Sequence, residues 1–217
     1  MVRVICVLIG YVFGLFQTGF FYGKAHGIDI REHGSGNSGT TNTLRVLGTK
    51  AGLIVFAGDC LKCIIAVTVV RFVFGQSYHD MIYLLCLYTG AGAILGHNYP
   101  FYMHFRGGKG IAATAGMVIA FHPYFTVMGV ILFFTIFFTT HYVSLGSLLV
   151  YLGLMIELLI FGQKGLFTGM TQGNLIEMYV LFGCLTVLAF WKHRENIKRL
   201  LHGQERKTYL TKKNKVD

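Results

Sequence analysis

The chain is 217 residues long, 54% hydrophobic and only 13% charged, with a mean hydropathy of +0.59, whereas soluble domains carry about 25% charged residues. That balance excludes a water-soluble domain and makes the bilayer the solvent. The net charge of +10 belongs, on such a chain, to Lys- and Arg-rich cytoplasmic loops and not to a nucleic-acid interface.

Hydropathy predicts an all-α polytopic membrane protein, a bundle of about seven transmembrane helices. They run in order near Val4–Phe21, Ala51–Phe74, Met81–Tyr99, Ile111–Ala120, Phe125–Thr140, Val143–Phe161 and Leu175–Trp191. The first resembles a signal peptide, but no small-residue cleavage site follows it and further spans do, so it stays as a helix. The fourth and fifth are each short for a hydrocarbon layer of about 30 Å, and His122-Pro123 breaks the run between them. A five-span count therefore stays open. Either count is odd and puts the termini on opposite sides.

Charge sets the orientation. Lys24, Arg31, Arg45 and Lys50 follow the first span, Arg106 and Lys109 follow Tyr99, and the run from Lys192 onward is basic, against Arg3, Arg71 and Lys164 on the other side. The crowded side is the cytoplasmic one, so the N-terminus lies outside and the C-terminus inside. Residues 1–205 form one membrane-embedded domain and 206–217 a basic tail, whose Lys212, Lys213 and Lys215 meet anionic headgroups.

Cys6, Cys60, Cys63, Cys86 and Cys184 all lie in apolar stretches and read as small buried hydrophobes; Cys60-x-x-Cys63 has no second pair to make a metal site. Gly10-x-x-x-Gly14 and Gly92-x-x-x-Gly96 permit close helix packing. Asp59 and Lys62, three apart within a span, are too costly in lipid unless they face inward and neutralise each other.

Three polar islands remain. The first, His33 to Arg45, is a run of Gly, Ser, Thr and Asn ending in a cation; its glycines free backbone donors, and Arg45 offers a planar fork that matches phosphate. Gly34 to Gly39 fits a dinucleotide fingerprint, but no strand precedes it. The second, Gly96 to Gly110, closes on Gly107-Gly108-Lys109-Gly110 at the opening of a helix that carries Thr114, which sets free amides and a Lys charge where an anion would bind. Met103 and Gly110 stand where a Walker A loop needs Gly and Ser or Thr. The third, His193 to Glu205, places His193 and Asn196 on one helical face at the membrane boundary. The plain alternatives are a flexible loop, an anchored turn and a headgroup-binding segment.

The three islands, in this order and spacing, resemble the PlsY family, bacterial acyl-phosphate-dependent glycerol-3-phosphate acyltransferases. Gly34–Gly48 looks like the first motif, Gly96–Thr114 the second and His193–Glu205 the third, so the resemblance covers nearly the whole chain. Ser38 and Thr40 stand where Pro and Ala are usual, and His141 where Arg is. The resemblance implies a seven-helix bundle and a reaction joining the acyl group of a long-chain acyl phosphate to glycerol 3-phosphate, giving lysophosphatidic acid and phosphate. It implies that Ser35, Arg45, His193 and Asn196 hold glycerol 3-phosphate and that Gly107, Gly108, Lys109 and Gly110, with Thr114 and Ser144, hold the acyl phosphate. The catalytic set is then Lys109, His193, Asn196 and Ser35, with no cofactor, no metal and a monomeric protein. Whether His193 or a substrate phosphate takes the proton stays open, since histidine titrates near neutral pH.

The rival readings are an anion carrier, which needs polar groups at the midplane and access from both faces, and a membrane scaffold, which leaves the islands unexplained. An acyltransferase of the His-x-x-x-x-Asp type lacks its base, because no His has Asp five residues later.

Overall fold

The computed structural model describes residues 1–210, and among them the chain is helical throughout, with no strand. Ten α-helices follow one another: α1 Val2–Gly14, α2 Thr18–Ala25, α3 Thr40–Leu47, α4 Thr49–Phe74, α5 Ile82–Asn98, α6 Ile111–Phe121, α7 Pro123–Thr140, α8 Val143–Gln163, α9 Gln172–Lys192 and α10 Arg194–Leu201. Five stretches, Val2–Ala25, Thr49–Phe74, Pro123–Thr140, Val143–Gln163 and Gln172–Lys192, are long and apolar enough to cross a membrane. Large apolar side chains such as Phe72 and Val187, 86% and 71% exposed, point outward, as a bilayer requires and water does not. Cys184 departs from the reading of all cysteines as buried: it is exposed on α9.

The two glycine pairs turn out to be one interface. A Cβ on Gly10 would lie 1.9 Å from Thr89 O and one on Gly14 2.3 Å from Ala93 O; Cβ atoms on Gly92 and Gly96 would lie 2.1 Å from Val7 O and 2.3 Å from Tyr11 O. α1 and α5 therefore touch backbone to backbone, which only glycine permits. They run in the same direction, and α9 runs with them. At one end Arg3 Nε bonds Glu177 Oε1 at 2.6 Å, and Tyr88 Oη reaches the same oxygen at 2.6 Å. At the other, Gln17 Nε2 donates to His97 O at 3.0 Å and Lys192 Nζ to Asn98 O at 3.4 Å. The three islands collect at this second end.

Helix lengths follow from what that end contains. The first apolar run breaks at residues 15–17, where Gly14 O and Phe16 O turn to Lys62 Nζ at 3.1 and 2.5 Å. α5 stops at Asn98 after 17 residues and α6 starts at Ile111 and has only 11, about 16 Å of rise, half the hydrocarbon layer. α6 begins level with Cys60 of α4, whose Sγ donates to Ala112 O at 3.1 Å, and Cys60 is about 17 Å along α4 from Thr49. The turn joining α5 to α6 is thus sunk well into the bundle, a depth where non-helical backbone needs protein around it. His122 and Pro123 then start α7: the His122 ring accepts from Tyr124 N at 3.3 Å, and Pro123 takes the first helical position, where its missing N–H is harmless.

Nearly half of the first island, from Thr40 on, is the helix α3, with Gly39 at its N-cap, so that part is not the flexible loop of the plain alternative. Of the stretch read as a tail, 206–210 fold back, with Thr208 1% exposed and its N bonded to His141 O at 2.9 Å; Lys212, Lys213 and Lys215 lie outside the described residues.

Candidate active site

The second island forms a turn with a fixed backbone. Gly107 N donates to Asn98 O at 3.2 Å and Gly108 N to His97 O at 3.1 Å, so the last carbonyls of α5 use those two amides and they are not open donors. Gly110 takes φ +83, a left-handed conformation that favours glycine. The first backbone bond of α6 is Thr114 N to Gly110 O at 2.8 Å, which leaves the amides of Ile111, Ala112 and Ala113 without backbone partners at a positive helix end. Thr114 Oγ1 donates to Gly110 O at 2.8 Å and meets Tyr151 Oη at 2.5 Å. Its hydroxyl braces the turn.

Lys109 extends from this turn to the third island. Its Nζ donates to Asn196 Oδ1; Asn196 Nδ2 donates to Glu205 Oε1 at 2.8 Å, Ser144 Oγ to the same oxygen at 3.1 Å, and Arg199 Nε to Glu205 Oε2 at 2.9 Å. Burial pushes the Lys109 ammonium down to about 8; Glu205 opposes this, while Arg199, Arg45 and Lys192 add to it. Among the described residues Glu205 is the carboxylate that acts on Lys109, and Asn196, Ser144 and Arg199 already engage it, so the Lys109 ammonium is underbalanced.

His193 closes α9 and opens α10, 3% exposed. Its Nδ1 lies 2.8 Å from Ala189 O; a carbonyl only accepts, so the proton is on Nδ1 and Nε2 carries the lone pair. Burial, then the charge of Lys109, pushes the ring down to about 4. It is neutral at working pH.

Arg45, on α3, gives Nη2 to Thr208 Oγ1 at 2.8 Å and to Arg206 O at 3.0 Å. Ser35 sits one helical turn away through Asn42: Ser35 N and Oγ both donate to Asn42 Oδ1, at 2.8 and 3.1 Å, and Asn42 Nδ2 ties back to Ile30 O and His33 O. The fold thus gathers Lys109, Ser144, His193, Asn196 and, within its field, Arg45; Ser35 joins only through Asn42 and α3. Sequence reasoning missed Glu205 as the group that ties Ser144 and Asn196 to Arg199. The available signal was an acid set among the cations Arg199, Arg206 and Lys207. Among the described residues no cluster of His, Cys, Asp or Glu could hold a metal.

Residues 4–203 match the glycerol-3-phosphate acyltransferase family. The chain belongs to that family. It is 40% identical over 210 residues to glycerol-3-phosphate acyltransferase 2 of a Bacillus cereus strain, covering 96% of each chain. Against the Listeria monocytogenes enzyme it is 39% identical over 201 residues, 92% of this chain and 93% of that one. In three dimensions it is similar to the crystal structure of PlsY, an integral membrane glycerol 3-phosphate acyltransferase, in its glycerol 3-phosphate form. The TM-score is 0.80 at 32% identity, over 95% of this chain and 96% of that one. The lysophosphatidic acid form of PlsY gives a TM-score of 0.77 at 32% identity, over 96% of each chain. As a member of this family the protein is a membrane-embedded glycerol-3-phosphate acyltransferase.

Proposed function

We propose that the acyl donor is a long-chain acyl phosphate and that the products are lysophosphatidic acid and inorganic phosphate. The observation that carries this reading is the sunken turn at 107–110. It opens a helix end of amides without backbone partners beside a Lys109 ammonium near Lys192 and Arg199; Glu205, the carboxylate that acts on it among the described residues, already receives hydrogen bonds from Asn196, Ser144 and Arg199. Such a place is short of negative charge, and a phosphoryl group supplies it. In this reading the amides of Ile111 to Ala113 and the Lys109 ammonium hold the acyl phosphate, on the turn that Gly107, Gly108 and Gly110 shape, with Ser144 at the edge. Ser35, Arg45, His193 and Asn196 hold glycerol 3-phosphate. A largely apolar groove of ≈ 420 Å³ lined by Val12, Phe13, Phe16, Gly58, Leu61 and Ile65, with Lys62 also in its wall, is the berth this reading gives the acyl chain.

The chemistry then needs placement more than a strong base, because an acyl phosphate is a mixed anhydride with a good leaving group. The C1 hydroxyl oxygen of glycerol 3-phosphate attacks the acyl carbonyl carbon, an ester bond forms, and the acyl C–O bond to phosphorus breaks with its electron pair going to phosphate. Neutral His193, its Nε2 lone pair turned to the hydroxyl, orients the nucleophile. A base pushed down to about 4 holds the proton poorly at pH 7, so the proton leaves on phosphate. Lys109 neutralises the charge that develops there. The same reading takes seven crossings with the N-terminus outside, puts the site on the cytoplasmic side of a bacterial inner membrane, and needs one protomer.

Purified protein supplied with palmitoyl phosphate or palmitoyl-CoA tests the donor: glycerol 3-phosphate-dependent release of phosphate from the first and no transfer from the second is the expected result. Equal use of both breaks the proposal, and anion uptake into vesicles without acyl transfer would favour a carrier.

A further inference from the structure

His97 and Asn98, the last two residues of α5, have no part in the roles assigned above, yet they form the wall behind the 107–110 turn. They are 2% and 0% exposed. A Cβ on Gly108 would fall 2.0 Å from His97 Nε2, and one on Gly110 would fall 2.9 Å from Asn98 Oδ1. Both side chains therefore abut the two glycines of the turn.

The proton on His97 is fixed by a residue that cannot accept. Lys62 Nζ lies 2.9 Å from His97 Nδ1; an ammonium has donors only, so Nδ1 takes the hydrogen bond and the ring proton sits on Nε2. Lys62 is itself immobilised. Its three N–H groups meet Gly14 O, Phe16 O and His97 Nδ1, and its counter-charge, Asp59 Oδ1, is 3.0 Å away. Asp59 accepts in turn from Thr18 Oγ1 at 3.0 Å, and at 3.7 Å from His97 Nδ1 it is beyond hydrogen-bond reach of the ring. His97 Nε2–H is thus a compulsory donor facing Gly108, and among the described residues no hydrogen bond engages it. Asn98 gives an independent sign: neither Oδ1 nor Nδ2 of its buried amide has a partner, a state that costs about 1–3 kcal/mol for each unmet group. Donors left unmet at the same turn, where the amides of Gly107 and Gly108 are already engaged, lack an acceptor from outside the protein.

We infer that His97 Nε2–H and Asn98 Nδ2–H donate to the phosphate oxygens of the substrate bound at the 107–110 turn. Lys62 and Asp59 act as positioning residues that hold the imidazole in its Nε2–H tautomer. This rests on the reading of that turn as the acyl phosphate site. Two neutral donors opposite the Lys109 charge add hydrogen bonds without adding to the repulsion among the cations already gathered there.

The test separates the two ring nitrogens. Asn at position 97 keeps an oxygen near Nδ1 for Lys62 but removes the Nε2 donor; Gln places an N–H near Nε2. With full-length protein in lipid vesicles, His97→Asn is expected to raise KM for palmitoyl phosphate about tenfold, the loss of one hydrogen bond to a charged group, with KM for glycerol 3-phosphate unchanged. His97→Gln restores most of it. The reverse order, an active His97→Asn and an impaired His97→Gln, means the ring serves only Lys62 and overturns the inference. Asn98→Ala is expected to raise the same KM while Tm holds or rises, since an unmet amide is removed; a lower Tm with unchanged KM overturns its part. A rise confined to the KM of glycerol 3-phosphate, in His97→Asn and Lys109→Met alike, overturns the acyl phosphate reading of the turn and leaves the phosphate-donor role of His97 standing.

Discussion

Lys62 and Lys109 are joined through one histidine, His97, which meets Lys62 at Nδ1 and the turn of Lys109 at Nε2, yet their surroundings are opposite. Lys62 is 6% exposed and fully met: a carboxylate at 3.0 Å, two backbone carbonyls and a ring nitrogen. Among the described residues Lys109 has one hydrogen-bond partner, the neutral Asn196, and Arg199 and Lys192 lie close enough to oppose its charge. A buried cation whose charge and donors are all answered is part of the framework. One left short of anions in cationic company is a place for an anion to bind, and the energy withheld in the empty protein is returned on binding.

The largest expected effect falls on the framework lysine. Lys62→Met leaves Asp59 buried without a counter-charge and should lower stability by about 3–5 kcal/mol, read as a large drop in Tm in lipid or detergent. Adding Asp59→Asn should recover most of it. An unchanged Tm in Lys62→Met would erase the contrast between the two sites.

Lys109→Met should behave the other way. Activity is expected to fall about 100-fold, roughly 3 kcal/mol of transition-state stabilisation, while Tm holds or rises because a strained ammonium is gone. Loss of folding in this variant would make Lys109 a second framework residue.

A pH series sharpens the difference further. The ammonium is the form that binds a phosphate dianion, and its pKa in the empty protein is depressed to about 8, so KM for acyl phosphate should be flat below that pH and rise by about tenfold per unit above it. Bound phosphate favours the charged form and moves the limb upward, so kcat should hold to higher pH than kcat/KM. His193 is neutral well below pH 6, being pushed down to about 4; His193→Ala should lose rate yet keep the shape of the profile between pH 6 and 8. A limb that vanishes with the histidine would restore it as the base.

Ser144→Ala is the mildest change. Glu205 keeps Asn196 and Arg199, so a loss of about 1 kcal/mol, under tenfold in kcat/KM, is expected; a hundredfold loss would place Ser144 on the substrate itself.

Much of this contrast was legible in the sequence, and the reasons are physical. Gly-, Ser- and Asn-rich runs and a turn such as Gly107-Gly108-Lys109-Gly110 cannot lie bare in lipid, so their placement at a polar end of the bundle followed from composition. The Asp59–Lys62 pair followed from their spacing of three on a helix. Contacts between distant segments were not legible. The break after Gly14 is invisible in an apolar run because its cause, Lys62, is far along the chain. α3 was hidden because Thr and Asn are poor helix formers, and it forms because Asn42, Thr43 and Leu44 are buried. The roles of His97 and Asn98 depend on which atoms face Gly108 and Gly110, and no residue pattern carries that.

The most direct test of the account is proton uptake on ligand binding. Calorimetric titration with a non-transferable acyl phosphonate at pH 8.5, in buffers of different ionisation enthalpy, should show net proton uptake by the wild-type protein as Lys109 regains its charge, and none in Lys109→Met. Tight binding with no proton uptake, or equal uptake in both proteins, would contradict it.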